Sequence, residues 1–302
     1  MEIFKTLTNI DFVGSMKYAF TISIIAIFIS IVSVIWHGGL NYGIDFAGGT
    51  LVQVKFQKET TTERLRNALK PINLDSSIIQ QFSSRELVIR TAESSSDLKG
   101  LSVRIEEALN TAFGKGAFDV QRFEAVGPKV GRDLTNKAIM AIVFSWIAML
   151  IYIAWRFEFR YALGGILALV HDVIITVGAL SLLNKEFTLT IVAALLTIIG
   201  YSINDTIVIF DRIRENLRKG VKKDLRELIN FSVNETLSRT IITSFTVFLV
   251  LVILFFLGGE VIHDFAFAML VGVVAGSYST IYIASPIVLV WEKIKPSKMR
   301  RR

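Results

Sequence analysis

The sequence places a carboxylate and an amide inside an otherwise apolar stretch, where polar groups are costly. Asp205 and its neighbour Asn204 lie in the run GYSINDTIVIFD, which ends at Asp211. On a helix, the separation of Asp205 from Asp211 corresponds to about 9 Å along the axis, so Asp205 is expected deeper in a membrane. A carboxylate at that depth costs about 3 kcal/mol on insertion scales. Asp205 therefore needs a partner, a water path or a proton.

Arg239 is the nearest candidate partner for Asp205. It lies in Ser238-Arg239-Thr240, where the next apolar run begins, and residues 211–238 connect the two runs. An arginine favours an ionised carboxylate whereas burial disfavours it, so a motion that separates the two groups would let Asp205 bind and release a proton. Two interpretations remain open. One is a proton relay; the other is a static ion pair, or an Asn204–Asp205 pair that caps the loop.

Asp172 is the second acid in an apolar run, and His171 precedes it. Adjacent helical residues point about 100° apart, so these two side chains are not expected to pair. Asp172 either joins the relay or holds a neighbouring helix by hydrogen bonds, and the structural role is favoured. Gly272 and Gly276, in a G-x-x-x-G pattern, predict close helix packing in the last run. Pro286 is expected to bend that run.

The elements that carry these residues are predicted to be membrane spans. The chain has 302 residues, is 52% hydrophobic and contains no cysteine. A helix needs about 20 apolar residues to cross a bilayer, and the apolar runs are too continuous for barrel strands. Six spans are predicted, at residues 18–36, 138–155, 161–183, 187–210, 240–257 and 265–291.

Several function classes are excluded by what the sequence lacks. The absence of cysteine excludes disulfides and thiolate sites, and three scattered histidines predict no metal site. No phosphate-binding G-x-x-x-x-G-K-[ST] loop is present, so the chain is not expected to hydrolyse ATP. We therefore expect neither enzymatic activity nor a cofactor.

The distribution of Lys and Arg in short loops predicts the orientation of the spans. One side holds nearly all of these residues, whereas the other offers only Lys185 beside Glu260 and Asp264. Both termini are therefore predicted to be cytoplasmic, in a bacterial inner membrane. The basic tail is interpreted as an orientation signal beside anionic lipid rather than a nucleic-acid site. The predicted organisation is a cytoplasmic segment 1–17, a span 18–36, a periplasmic domain 37–137, a five-span bundle 138–291 and a cytoplasmic tail 292–302.

The long polar insert is predicted to be an α+β domain. Its pattern alternates in the order β-α-β-β-α-β, which is typical of a ferredoxin-like fold. Thr60 or Thr61, with Glu63, is expected to cap the first helix, and residues 94–97 the second. The insert shows no catalytic cluster, and its near-neutral charge argues against nucleic acid. A module that binds a partner or handles a substrate is the favoured interpretation. The predicted strands are 50–57, 77–82, 86–91 and 118–126, and the predicted helices are 61–69 and 96–113.

Four motifs, in this order along the chain, resemble the SecF family of bacterial Sec protein-translocase subunits. They are YGIDFAGGT at 42–50, VGPKVG at 126–131, GYSINDTIVIFDRIREN at 200–216 and SRT at 238–240. In the first motif, Gly43, Gly48 and Gly49 are expected to permit tight turns where the chain enters the first strand.

The resemblance implies a membrane all-α six-span helical bundle of the resistance-nodulation-division type, with the α+β domain inserted. It implies SecD as the partner that supplies the other half, together with the SecYEG channel, the SecA motor and a translocating polypeptide; YidC and YajC are further candidates. It also implies that the proton gradient drives translocation, with Asp205 and Arg239 as the intramembrane charges and a further carboxylate from SecD. Two alternatives remain: a half-transporter that exports small molecules or lipids, and a passive scaffold for SecD.

Overall fold

The protein is described by a computed structural model that covers residues 8–81, 83–91, 98–220 and 224–294. The chain divides into two compact units, one of residues 42–139 and one of the remaining residues. The helices are α1 Met16–Trp36, α2 Ile44–Ala47, α3 Thr62–Leu69, α4 Leu98–Phe113, α5 Pro128–Arg156, α6 Phe159–Leu182, α7 Leu189–Arg218, α8 Leu225–Leu257, α9 Glu260–Ser279 and α10 Ser285–Ile294. The strands are β1 Gly49–Phe56, β2 Ile78–Gln81, β3 Glu86–Thr91 and β4 Phe118–Val126.

Within the described residues, six helical segments are long and apolar enough to cross a membrane, which agrees with the predicted number of spans. Several extend well beyond the predicted limits. The helix α8 begins at Leu225 rather than at residue 240, and α5 begins at Pro128 rather than at residue 138. Both differences have one cause: an amphipathic or polar turn continues a helix outside the apolar run, where hydropathy gives no signal. Proline has no amide hydrogen, and an amide hydrogen at the first position of a helix has no partner within the helix. Pro128 is therefore well suited to begin α5.

The last span is interrupted by a π-helical turn, Thr280–Ala284, between α9 and α10. This turn directly precedes Ser285 and Pro286, at the place where the sequence predicted a bend. Single π turns inside α-helices are local irregularities that often mark functional sites.

The helices α6, α7 and α9 form the centre of the larger unit. Glycine residues allow α9 to pack closely on α7. A Cβ atom added at Gly272 of α9 would lie 2.2 Å from Ile198 Cδ1 of α7. One added at Gly276 would lie 3.0 Å from Ser202 Cβ. The close packing predicted for these two glycines is thus present, and it brings α9 onto α7. By contrast, α1, α5 and α8 leave many large apolar side chains exposed, among them Phe28, Phe144 and Phe256.

The smaller unit contains one antiparallel sheet with the strand order β2-β3-β1-β4. Val52 and Val54 of β1 stand opposite Ile89 and Leu87 of β3. These side chains face the helices α3 and α4, and the shared core includes Leu65, Leu69, Leu101, Ile105 and Leu109. Val88, between Leu87 and Ile89 on β3, is also buried, in a second small apolar cluster with Ile44 and Leu51 on the opposite face of the sheet. An all-α bundle with a small sheet domain is therefore the observed architecture.

One local prediction for the smaller unit is confirmed and one needs correction. Of the two threonines expected to cap α3, Thr61 does so, and its Oγ1 accepts a hydrogen bond from the Arg64 amide at 3.3 Å. Gly43 has a φ of −68°, which any residue can adopt, whereas Gly48 has a φ of +75°. The predicted cap at 94–97 and residue 82 of the second strand lie outside the described residues.

Candidate functional site

Asp205 lies on the buried face of α7, directed towards α8. The residue is only 3% exposed. Thr243 and Ser244 of α8 lie beside its carboxyl group, and Tyr201, one turn earlier on α7, lies beside Ser244. The helical period explains this arrangement, because residues 201 and 205 share one face of α7. The predicted burial of Asp205 inside the bundle is therefore present in the structure.

Three buried polar atoms around this α7–α8 interface lack hydrogen-bond partners among the described residues. They are Asp205 Oδ2, Tyr201 Oη and Thr240 Oγ1. Buried polar atoms are nearly always hydrogen-bonded in native proteins, and exceptions often have a functional reason. An ionised carboxylate with an unpartnered oxygen is unfavourable in apolar surroundings, whereas a protonated one is neutral. The site is therefore suited to a carboxyl group that changes its protonation state.

Arg239 is near Asp205, but it does not form the direct ion pair that the sequence suggested. Its guanidinium is close enough to act electrostatically on the carboxyl group. The ion pairs of the described residues nevertheless include none between these two side chains, and Arg239 itself is exposed. In the structure the Asp205 carboxyl group and the Arg239 guanidinium are thus separate, and they form no salt bridge.

Asn204 does not join this site. It is exposed on α7, whereas Asp205 is buried. Consecutive residues on a helix are rotated by about 100°, so the side chain after a surface residue can point inward. The interpretation in which Asn204 and Asp205 pair to cap a loop is wrong, because both residues lie well inside α7.

Asp172 lies in a second buried polar cluster, and its carboxylate has full hydrogen bonding. Its Oδ2 accepts hydrogen bonds from Ser202 Oγ of α7 at 2.6 Å and from Ser279 Oγ of α9 at 2.9 Å. Its Oδ1 lies 3.0 Å from His171 Nδ1. The residue has no exposed surface. Asp172 therefore links three central helices, as the favoured structural interpretation predicts.

The contact between His171 and Asp172 contradicts the expectation that these neighbours would not pair. The His171 ring also stacks on Tyr278, with ring centroids 6.0 Å apart. The side chains of His171 and Asp172 both point into the buried space between α6 and α9. Their ends therefore meet, although consecutive residues on a helix are rotated by about 100°. From the sequence, Ser202 was expected beside Asp205 rather than Asp172, and Ser279 was not predicted to take part; hydroxyls inside apolar runs were the available signal for both.

A third polar cluster joins the ends of α7 and α8 outside the apolar runs. Arg212 donates two hydrogen bonds to Glu235, from Nε at 2.7 Å and from Nη2 at 2.6 Å. Asn216 donates to Glu235 at 2.7 Å and to Ser232 Oγ at 3.0 Å. This bidentate arrangement is geometrically specific.

No set of three or more acidic or imidazole side chains suited to a metal ion occurs within the described residues.

Comparison with known proteins identifies the family. The sequence profile "Protein export membrane protein SecD/SecF, C-terminal" matches residues 105–294, and the "SecD/SecF GG Motif" matches residues 33–60. "Protein translocase subunit SecF" of Magnetococcus marinus is 47% identical over 97% of this chain and 95% of its own length. The same subunit of Calditerrivibrio nitroreducens is 46% identical over 98% of both chains.

A solved structure shares the fold over nearly the whole chain. The crystal structure of SecDF from Thermus thermophilus, described as a translocon-associated membrane protein, superposes with a TM-score of 0.85 at 37% identity. The match covers 96% of this chain and 40% of the SecDF chain. A second SecDF structure, in a super-membrane-facing form, gives a TM-score of 0.70 at 35% identity. The chain belongs to the SecF family of protein translocase subunits.

Proposed function

We propose that this chain assists protein translocation through the Sec channel and couples that work to the proton gradient through Asp205. The observation that carries the proposal is the contrast between the two buried carboxylates. Both oxygens of Asp172 have polar partners within hydrogen-bonding distance, whereas Asp205 Oδ2 has none among the described residues. An ionised carboxylate with an unpartnered oxygen is unfavourable in apolar surroundings, so Asp205 is the residue that we assign to proton uptake.

Arg239 has the second role in this proposal. Its exposed position near Asp205 leaves the guanidinium free to approach the carboxylate when Asp205 is ionised and to withdraw when it is protonated. Because the two side chains lie on different helices, this exchange requires a relative motion of α7 and α8. Such a motion is the coupling step that we assign to the chain; no covalent chemistry and no cofactor are involved.

A second membrane subunit, with SecD as the candidate, is part of the proposal. The exposed face of α7 carries small and polar residues at helical spacing: Ala193, Thr197, Gly200 and Asn204. An amide in contact with lipid is costly, whereas small residues permit a close helix–helix contact. The SecDF chain of Thermus thermophilus is much longer than the part that this chain matches. A separate SecD subunit would supply the remainder, including a further carboxylate.

The proposed topology has both termini in the cytoplasm and the smaller unit in the periplasm. Basic residues support it: Lys17, Arg156, Arg214 and Arg218 lie at one set of helix ends. In the two short connections at the opposite ends, 183–188 and 258–259, Lys185 is the one basic residue, and it is neutralised by Asp264 at 2.6 Å. We further propose a ferredoxin-like fold for the smaller unit, supported by the element order and the sheet order β2-β3-β1-β4, and a role in handling the translocating chain.

The test compares Asp205→Asn and Arg239→Lys with Asp211→Asn. Asp211 is on the same helix, but it is half-exposed and 3.6 Å from Arg156, so it serves as a matched control. Each variant is expressed as the full chain in cells that lack their own copy. Copurification with SecD and SecYEG is measured, together with export under an intact and a collapsed proton gradient.

We expect the Asp205 and Arg239 variants to assemble normally and to lose the gradient-dependent part of export. The Asp211 variant should retain it. If the Asp205→Asn variant retained normal gradient-dependent export, the proton-coupling proposal would be rejected. A passive scaffold for SecD would then be the remaining explanation of the chain's role.

A further inference from the structure

The chain segment before the first span is fastened to α8 by two asparagine side chains. We define residues 8–15 as the N-terminal strap. Asn234 Oδ1 accepts from the Ile10 amide, and Asn234 Nδ2 donates to the Ile10 carbonyl, both at 2.9 Å. Asn230 Oδ1 accepts from the amides of Phe12 and Val13, at 2.8 and 3.2 Å. The asparagines thus replace the backbone partners that an irregular segment lacks.

The strap is also anchored in the apolar core. Phe12 and Val13 are 8% and 4% exposed. The Phe12 ring makes an edge contact with Tyr282, with centroids 6.0 Å apart, and Tyr282 belongs to the π-helical turn. The N-terminal strap therefore connects the polar part of α8 to the irregular turn of the last span. These contacts join segments more than 200 positions apart in the sequence.

The helix α8 is most deeply buried over its first half, although Ser244 and Phe255 of its second half also contact α9. On one side, Asn230 and Asn234 bind the N-terminal strap; on the other, Glu235 binds Arg212 and Asn216 of α7. Beyond Thr240, Leu251 is the one buried residue in the described stretch 241–257. The strap and α7 thus bind opposite sides of α8 in the turns that directly precede Arg239.

The position of Arg239 follows from this arrangement. It lies four residues after Glu235, hence on the same face of α8. Thr243, which lies beside the Asp205 carboxyl group, is one turn further. Because the outer half of α8 is less buried than the first half, the fastening of the first half contributes strongly to the tilt and rotation of the helix at the level of Asp205.

We propose that Asn230 and Asn234 are positioning residues: through the N-terminal strap they hold α8 in the rotational setting that presents Arg239, Thr243 and Ser244 to Asp205. The functional consequence rests on the proton-coupling proposal, but the geometric claim does not. If the strap is released, α8 should move relative to α9 and α7, while the contact between α7 and the last span is retained.

Two hydroxyl pairs allow a direct test, because the natural chain contains no cysteine. Ser244 and Ser277 join α8 to α9, with their Oγ atoms 2.8 Å apart. Thr206 and Thr280 join α7 to the last span, with their Oγ1 atoms 3.0 Å apart. In the full chain, each hydroxyl pair is replaced in turn by a pair of cysteines. The rate of disulfide formation is then measured with a membrane-permeant oxidant, in membranes without a proton gradient.

Asn230→Ala with Asn234→Ala removes the hydrogen bonds by which these two α8 side chains hold the strap. We expect the 244–277 pair to cross-link about three- to tenfold more slowly, consistent with the loss of several hydrogen bonds of modest net strength. Phe12→Ala, which releases the strap from the core instead, should slow the same pair. The 206–280 pair should cross-link at the parental rate in both backgrounds.

Unchanged cross-linking of 244–277 would overturn the proposal, and equal slowing of both pairs would show general loosening and overturn it as well. Export adds a functional measurement in chains with the native hydroxyls. The double asparagine variant should copurify with SecD yet lose gradient-dependent export. If Asp205→Asn exports normally, proton coupling fails while the cross-linking result still decides the positioning claim.

Discussion

The contact of Gly272 with Ile198 permits a sharp prediction about how α9 packs on α7. In Gly272→Ala the new Cβ would lie 2.2, 2.4 and 2.9 Å from three carbon atoms of Ile198. Ordinary van der Waals contact begins at 3.4 Å, so the nearest pair must separate by more than 1 Å. Ile198 has no exposed surface and cannot swing outward. Overpacking of this kind costs about 1–3 kcal/mol.

The matched control is Gly200→Ala, on the exposed face of α7. A Cβ atom there meets nothing within 4 Å. Because glycine weakens a helix interior, this substitution should stabilise the isolated chain by about 0.5–1 kcal/mol. The two glycine-to-alanine changes are therefore expected to shift the free energy of unfolding in opposite directions.

The assay is reversible unfolding of the full chain in mixed micelles with a denaturing detergent, followed by circular dichroism. A double-mutant cycle with Ile198→Ala isolates the contact. Ile198→Ala alone leaves a cavity and costs about 2–5 kcal/mol. Combined with Gly272→Ala it should cost at least about 1 kcal/mol less than the sum of the single changes, because the added methyl occupies part of that cavity. Additive costs, or equal effects of the alanines at 272 and 200, would refute the packing argument.

Three further predictions concern single residues. Asp172→Leu should destabilise the larger unit by about 2 kcal/mol in the same unfolding assay, because a leucine side chain cannot accept the hydroxyl hydrogen bonds of Ser202 and Ser279; a change below the scatter of the assay would contradict this reading. Thr61→Ala should cost about 1 kcal/mol and speed hydrogen exchange at the start of α3, whereas Thr61→Ser should have little effect, since only the hydroxyl caps the helix. Gly48→Ala should cost about 1–2 kcal/mol, seen as faster exchange along β1 and β4, because its φ is +75° and a Cβ would lie 3.1 Å from Pro128 Cα; protection equal to that of the parent would argue against strain at this turn.

The number of spans and the order of elements in the insert were accessible from the sequence. Both depend on local properties: the length of an apolar run, and the alternation or helical spacing of apolar residues. The limits of α5 and α8 were not accessible in the same way, because helices can continue past the membrane through polar turns. The importance of the small residues Gly272 and Gly276 was also predicted, although their partner Ile198 was not.

The sequence by itself determined that Asp172 and Asp205 lie in apolar surroundings, since each belongs to a long, predominantly apolar run. It did not determine which of them has hydrogen-bond partners. The donors to Asp172 come from α7 and α9, 30 and 107 positions away, and the N-terminal strap binds asparagines more than 200 positions away. Only the tertiary structure brings such groups together, because hydrogen bonds depend on distances and directions within about 3 Å that no local pattern records.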